Sequence, residues 1–247
     1  MTSAASRAAH LLLGGLVRVL LPPLCPLCRR ALASSSLLLC QACSSTLREL
    51  EEPLCTCCGL PFSGAGPSHP CPRCLRQKTT FESLRAWGLY SGALLEAIHA
   101  FKYRGDRGVR HLLQSLFLEG FERYWPTETF SSVVPVPAHR ETLRRRGFDL
   151  PALLARCLAR ERGIAWRPRA LLKAKATPDL VRLKHKEREA AVREVFFPRQ
   201  ALEGQVLLVD DVATSTSTAR ACARACLDAG ASRVQVLVLA RTPLAGG

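Results

Sequence analysis

The sequence predicts an α/β domain, a mostly parallel sheet flanked by helices, preceded by a small metal-binding module with two four-cysteine sites. Three observations carry that expectation. Four CxxC pairs fall within the first 74 residues, and short β-branched runs alternate with helical segments after residue 80. One of those runs, VLLV, leads directly into two aspartates and an unbroken run of hydroxyl side chains.

The chain has 247 residues, 48% of them apolar, enough for one α/β domain with a satellite and a sizeable core. From Ala4 to Leu24 it is Leu-rich, but Arg7 and Arg18 bracket Gly14 and Gly15, and no small-residue cleavage site follows. This stretch reads as an amphipathic helix packed on its own protein, with no membrane span and a cytoplasmic location. Basic residues exceed acidic ones by 15, and residues 102–200 hold 22 basic against 11 acidic side chains. A polyanionic partner fits that balance, either the phosphates of a small substrate or a nucleic acid.

Nine of the twelve cysteines lie between Cys25 and Cys74. Cys25 with Cys28 and Cys40 with Cys43 form one set of CxxC knuckles; Cys55 with Cys58 and Cys71 with Cys74 form a second, an internal repeat of about thirty residues. Each knuckle places two thiolates on one side of a tight turn, and two knuckles give Zn²⁺ its four sulfurs. The zinc is structural, because four protein ligands leave no position for water. Spacing leaves the pairing of knuckles open, sequential or interleaved. Cys57 and His69 read as loop residues, and Cys157, Cys222 and Cys226 as small core residues on helices. The chain thus divides into an N-terminal helix (1–24), a double zinc ribbon (25–80) and an α/β domain (81–247).

In the second domain, LLEAIHAFKYRGDRGVRHLLQSLFLEGFERYW has helical spacing broken at Gly105 and Gly108, which predicts two helices joined by a turn. SVVPVP (132–137) predicts a buried strand running into the loop HRETLRRRGFD, and a helix follows from Leu150 to Arg162. The strand VLLV (206–209), the helix ending near Asp228 and the strand VQVLVLA form a βαβ unit, whose ligand crevice lies at the carboxyl ends of the strands. There Asp210 and Asp211 precede Ala213, Thr214, Ser215, Thr216, Ser217 and Thr218. Small hydroxyl residues at a helix N-terminus wrap a phosphate, and paired carboxylates accept hydrogen bonds from vicinal ribose hydroxyls. A ribose 5-phosphate satisfies both. A plain helix cap is the competing explanation, but a cap needs one such residue.

The string VLLVDDVATSTST resembles the phosphoribosyl-diphosphate motif of type I phosphoribosyltransferases. Nearly the full chain resembles the ComF family of competence-associated proteins: the double ribbon, then YSGALLEAIHAFKYRGD, VVPVPAHRETLRRRGFD, LLKAKATPDLVRLKHKEREAAVREVFF and DDVATSTST, in that order. The resemblance implies a type I phosphoribosyltransferase-like fold. It implies that Asp210 and Asp211 hold the ribose hydroxyls with Mg²⁺ bridging to the diphosphate, and that residues 213–218 wrap the 5-phosphate. Arg146 and Gly147 would stand in the pyrophosphate loop, with Lys102 and Arg188 as further contacts for diphosphate or a partner. Where the family tends to have glycine, asparagine, asparagine and glutamine, this chain has Thr216, Asp149, Ala191 and Leu180.

The implied function is binding of phosphoribosyl diphosphate, with transfer of phosphoribosyl to an unnamed acceptor if the domain is catalytic. The alternative is a non-catalytic protein that handles a nucleotide or single-stranded DNA in competence. In either case the zinc module is a candidate docking surface for a competence helicase or another protein.

Overall fold

The computed structural model describes residues 22–34, 38–64, 66–138, 143–144, 147–174 and 195–243. Apart from Pro22, Pro23 and Leu24, the expected N-terminal helix lies outside these residues, as do Leu180 and Ala191. Short helices α1 (Gln41–Ser44) and α2 (Pro72–Arg76) each carry the fourth cysteine of a ribbon. The α/β part then runs β1 (Leu84–Leu89), α3 (Gly92–Arg104), a 3-10 turn (Arg107–Val109), α4 (Arg110–Tyr124), β2 (Ser132–Pro135), α5 (Leu150–Arg162) and β3 (Ala165–Trp166). It continues with β4 (Leu171–Lys173), β5 (Phe196–Pro198), β6 (Gln205–Ala213), α6 (Ser217–Asp228) and β7 (Arg233–Arg241).

Five strands form one sheet in the order β1-β7-β6-β2-β3, and every neighbouring pair is parallel. A parallel sheet is covered on both faces, so its central strands carry continuous buried apolar runs, residues 206–209 in β6 and 236–240 in β7. Alternation along them separates two cores. Leu207, Val209, Leu237 and Leu239 pack with α3, α4 and α5, whereas Val206, Leu208, Val236 and Val238 pack with α6 and the antiparallel pair β4–β5. Among the described residues, no helix is long and apolar enough to cross a membrane.

The predicted helix pair is present: α3 ends at Gly105, whose φ of +65° is the left-handed stop a glycine adopts readily. Ser91, which precedes α3, makes no side-chain capping bond. Thr46 of the first ribbon supplies it instead: its Oγ1 accepts the Ala93 N–H at 3.1 Å and donates to the Cys43 carbonyl at 2.8 Å. One orphan donor of the helix is thereby satisfied from the metal module.

The same segment runs antiparallel against the free edge of β1. The Leu89 N–H donates to Arg48 O at 2.7 Å and the Leu50 N–H to Trp87 O at 3.2 Å, closing an edge that would otherwise invite pairing with another chain. Cys25 and Leu39 belong to the same core cluster as α3, α4 and the sheet, so the first ribbon is continuous with the domain core, while the second keeps a small cluster of its own.

This seam is tight enough to test. A Cβ at Gly92 would stand 2.1 Å from the Thr46 carbonyl oxygen, at a φ of +51°. Gly92→Ala is expected to lower the unfolding free energy by about 3 kcal/mol from overpacking and strain together. Gly163→Ala, at a φ of +65° but with nothing within 4 Å, should cost only the backbone strain of about 1 kcal/mol. Denaturant midpoints at constant slope measure both, and equal losses would contradict the close approach.

Candidate functional site

Two sites take shape from the cysteines. The Sγ atoms of Cys25, Cys28, Cys40 and Cys43 all lie within 4.8 Å of one another, and so do those of Cys55, Cys58, Cys71 and Cys74. Each ribbon therefore closes on its own two knuckles, which settles the pairing as sequential. The Cys28–Cys40 and Cys58–Cys71 sulfur separations are 3.5 and 3.8 Å. A zinc–sulfur bond of about 2.3 Å gives a tetrahedral edge of about 3.8 Å, so the donor set fits Zn²⁺.

Backbone donors support the thiolates: the N–H groups of Cys58 and Cys71 point at Cys55 Sγ at 3.4 and 3.2 Å. Cys57 and His69 stay outside the groups. His69 stacks on Phe62 at 4.4 Å, and the Cys57 carbonyl accepts the Leu84 N–H at 2.7 Å. The metal is structural, and it stands in for the hydrophobic core that so small a module lacks.

The second site forms where β6 outruns β2. Sequence places the aspartates after the strand VLLV, but β6 continues through Asp210, Asp211, Val212 and Ala213 because β7 stays paired with it as far as Ala213 opposite Arg241. On its other side β2 ends at Pro135, and only Val136 N–H to Val209 O, at 2.8 Å, extends the ladder. Asp210 and Asp211 thus lie in a strand open on one side, at the carboxyl edge of the sheet. A cavity of about 330 Å³ fills the opening, lined among others by Lys102, Phe148, Asp149, Lys173, Asp210 and Asp211.

Lys102 of α3 donates to Asp211 Oδ1 at 2.6 Å, and Asp210 Oδ1 accepts the Asp211 N–H at 2.9 Å. Asp149 accepts the Ala152 N–H at 3.4 Å as the N-cap of α5. Burial, helped by the charge of Asp211, pushes the Asp149 carboxyl up to about 6. Burial also pushes Asp210 up, to about 8, with Asp211 and Asp149 adding to the push and Lys102 opposing it.

Beside this cavity a recess of about 30 Å³ is lined by Ala213, Thr214, Ser215, Thr216 and Thr218. Thr216 is the N-cap of α6, with φ 61° and ψ 4°, and it is buried without making a side-chain cap bond. Its left-handed backbone explains why glycine is usual at such a position: a β-branched residue there costs about 1–2 kcal/mol. Ser217 enters through its hydroxyl, 2.8 Å from that of Ser215.

The structure therefore brings Lys102, Asp210, Asp211 and the hydroxyl loop together. Gly147, at a φ of +75°, precedes Phe148 and Asp149 but does not itself line the cavity. Arg146 and Arg188 lie outside the described residues. Two residues were missed in the sequence. Lys173 on β4 gave no signal; Arg241 gave one, as a charge ending the apolar run VQVLVLA.

Two measurements follow from these sites. Metal analysis should give two zinc ions per chain, and Cys71→Ser should lose one of them while the first ribbon keeps its own; loss of both would mean the sites are not independent. For Asp210, a carboxyl whose pKa rises on folding binds its proton more tightly in the folded state. The stability it lends is present when protonated and is lost as pH climbs toward about 8. Its contribution to the unfolding free energy of the zinc-loaded protein should fall from about pH 4 to about pH 8 and level off above that, and Asp210→Asn should remove that fall. A slope unchanged in the variant would assign the titration elsewhere.

Residues 16–75 match the double zinc ribbon domain. The chain is 32% identical over 225 residues to the DNA utilization protein YhgH of Salmonella typhimurium, covering 90% of this chain and 98% of that one. It is 28% identical over 216 residues to the competence protein ComFC of Bacillus subtilis, covering 82% and 84%. It is also 27% identical over 229 residues to competence protein F of Haemophilus influenzae, covering 88% and 96%. With this similarity running nearly end to end and the ribbons formed as the match requires, the chain belongs to the ComF family.

Proposed function

We propose that the chain binds phosphoribosyl diphosphate at the carboxyl edge of β6, within a role in DNA utilization or competence like that named for its relatives. The observation that carries this reading is the juxtaposition of Asp210 and Asp211, in a half-open strand, with the hydroxyl-rich N-terminus of α6. The loop 213–218 would take the 5-phosphate, using free N–H groups at the positive end of a twelve-residue helix. Asp210 and Asp211 would accept from the ribose hydroxyls, and Lys102 and Lys173 would face the diphosphate. Gly147 remains a candidate contact, as do Arg146 and Arg188, which lie outside the described residues.

Mg²⁺ would arrive with the diphosphate, and Asp210 and Asp211 are the residues that would hold it. It would supply charge neutralisation of a leaving pyrophosphate if the phosphoribosyl group is transferred. The chain's own part is to bind and orient. Thr216 has a left-handed backbone, a strain that persists only because the surrounding fold fixes it.

The second reading, handling of a nucleotide or single-stranded DNA without transfer, is favoured by the relatives' names and by the net charge of +15. The zinc module is then a docking surface for a helicase or another protein of the same process.

Calorimetric titration of the zinc-loaded protein with phosphoribosyl diphosphate and Mg²⁺ tests the first reading. Wild type should bind, and the Asp210→Asn, Asp211→Asn double variant should bind at least about tenfold more weakly. No binding by wild type would overturn it. Pyrophosphate release with an added nucleobase would establish transfer, and binding of single-stranded DNA that weakens steeply with salt would favour the second reading.

A further inference from the structure

Arg241 ends β7 and is 3% exposed, yet among the described residues no carboxylate pairs with its guanidinium. Its donors go to backbone carbonyls instead. Nη1 donates to Ala213 O at 2.9 Å, to Thr214 O and to Thr242 O at 3.1 Å, and Nε donates to Cys58 O at 3.2 Å. A buried cation is tolerated only when its donors are satisfied, and the planar fork of arginine can serve several carbonyls at once where lysine cannot. Two of these carbonyls belong to the phosphate-loop candidate. Another belongs to Cys58, a ligand of the second ribbon, and the last to the neighbouring Thr242.

Direction matters as much as attachment. In a trans peptide the C=O of one residue and the N–H of the next point opposite ways. Drawing the Ala213 and Thr214 carbonyls inward onto Arg241 therefore turns the Thr214 and Ser215 N–H groups away from it, and both residues line the recess at the head of α6. The next residue is Thr216, whose left-handed backbone persists only where its surroundings fix it. The Ala213 carbonyl is held again by the Thr242 N–H at 3.1 Å.

At the other end, the second ribbon is seated firmly on the sheet. The Cys57 carbonyl accepts the Leu84 N–H at 2.7 Å, and a Cβ at Gly59 would meet the Leu84 carbonyl oxygen at 2.6 Å. Movement of the Cys55–Cys58 knuckle is thus movement of an Arg241 acceptor.

We infer that Arg241 is a positioning residue that aims the Thr214 and Ser215 N–H groups at a bound phosphate and ties that aim to the metal-bearing second ribbon. Its ligand rests on the phosphoribosyl reading above; its mechanical coupling does not, and the two are tested apart. The coupling is read by backbone amide relaxation of ligand-free, zinc-loaded full-length protein. Order parameters at 214–216 should fall from about 0.85 to below about 0.6 in Arg241→Met, and in Cys74→Ser of the second ribbon, while those of 206–209 keep their rigid values. Cys43→Ser, in the first ribbon, should leave 214–216 as in wild type. Arg241→Lys serves as the folded control should Arg241→Met fail to fold, and because it keeps the charge without the fork, its loop should still be loosened.

Unchanged order parameters at 214–216 in Arg241→Lys and Arg241→Met would overturn the positioning role, and unchanged values in Cys74→Ser would overturn the link to the ribbon. The ligand arm is calorimetry with phosphoribosyl diphosphate and Mg²⁺: both Arg241 variants should bind about tenfold more weakly than wild type. Wild-type affinity in Arg241→Lys would show that charge alone suffices and defeat the aiming role. Absence of binding in wild type would instead sink the phosphoribosyl reading, with the relaxation result deciding the coupling.

Discussion

Strand β6 keeps β7 as a partner along its whole length but gives up β2 at Val136, and the candidate site is a product of that asymmetry. A strand with two partners through its last residues would have no room beside Asp210 and Asp211; one with none would leave their backbone unfixed. Half-pairing places two carboxylates rigidly at an open crevice. Burial there has an electrostatic result, since three carboxylates, Asp149, Asp210 and Asp211, share the space with Lys102 and Lys173. The proton is held more tightly by Asp210 and Asp149 than in water, which lowers the net negative charge of the crevice.

The ribbons are joined to this framework by backbone as much as by side chains. Thr46 finishes the start of α3, residues 48–50 cover the edge of β1, and the knuckle at Cys57 and Cys58 meets both Leu84 and Arg241. Small residues permit the approach: any side chain at Gly59, Gly88 or Gly92 would collide with a carbonyl of the opposing segment. The metal module is therefore built into the α/β domain at several points, and Cys25 is counted among that domain's core residues.

What could be read from the sequence followed from local chemistry. The CxxC spacing announced both metal groups, the apolar periods announced α3, α4, β2 and the βαβ unit, and the hydroxyl run after the aspartates marked the loop. Three things could not be read that way. Knuckle pairing depends on which turns meet in space, and both pairings share one spacing. The extension of β6 through Asp210 to Ala213 is a tertiary effect, because β7 imposes strand geometry on residues with poor strand propensity. Lys173 sits on a three-residue strand whose partner, β5, lies more than twenty residues on, a pairing that no local pattern encodes. Arg241 was visible as an anomaly, a charge at the end of an apolar strand, but its acceptors come from segments far apart in the chain.

The sheet order also has a bearing on how the protein is made. β7 follows every other described strand in the sequence, yet it lies between β1 and β6. Until it is synthesised, the nascent polypeptide holds two unjoined halves, β1 with its zinc-bearing flank and β6 with β2 and β3, each presenting an open apolar margin. Translation that stalls before Arg233 leaves those margins bare, so the quality of this protein in a cell depends on a single late segment of nine residues arriving to stitch them.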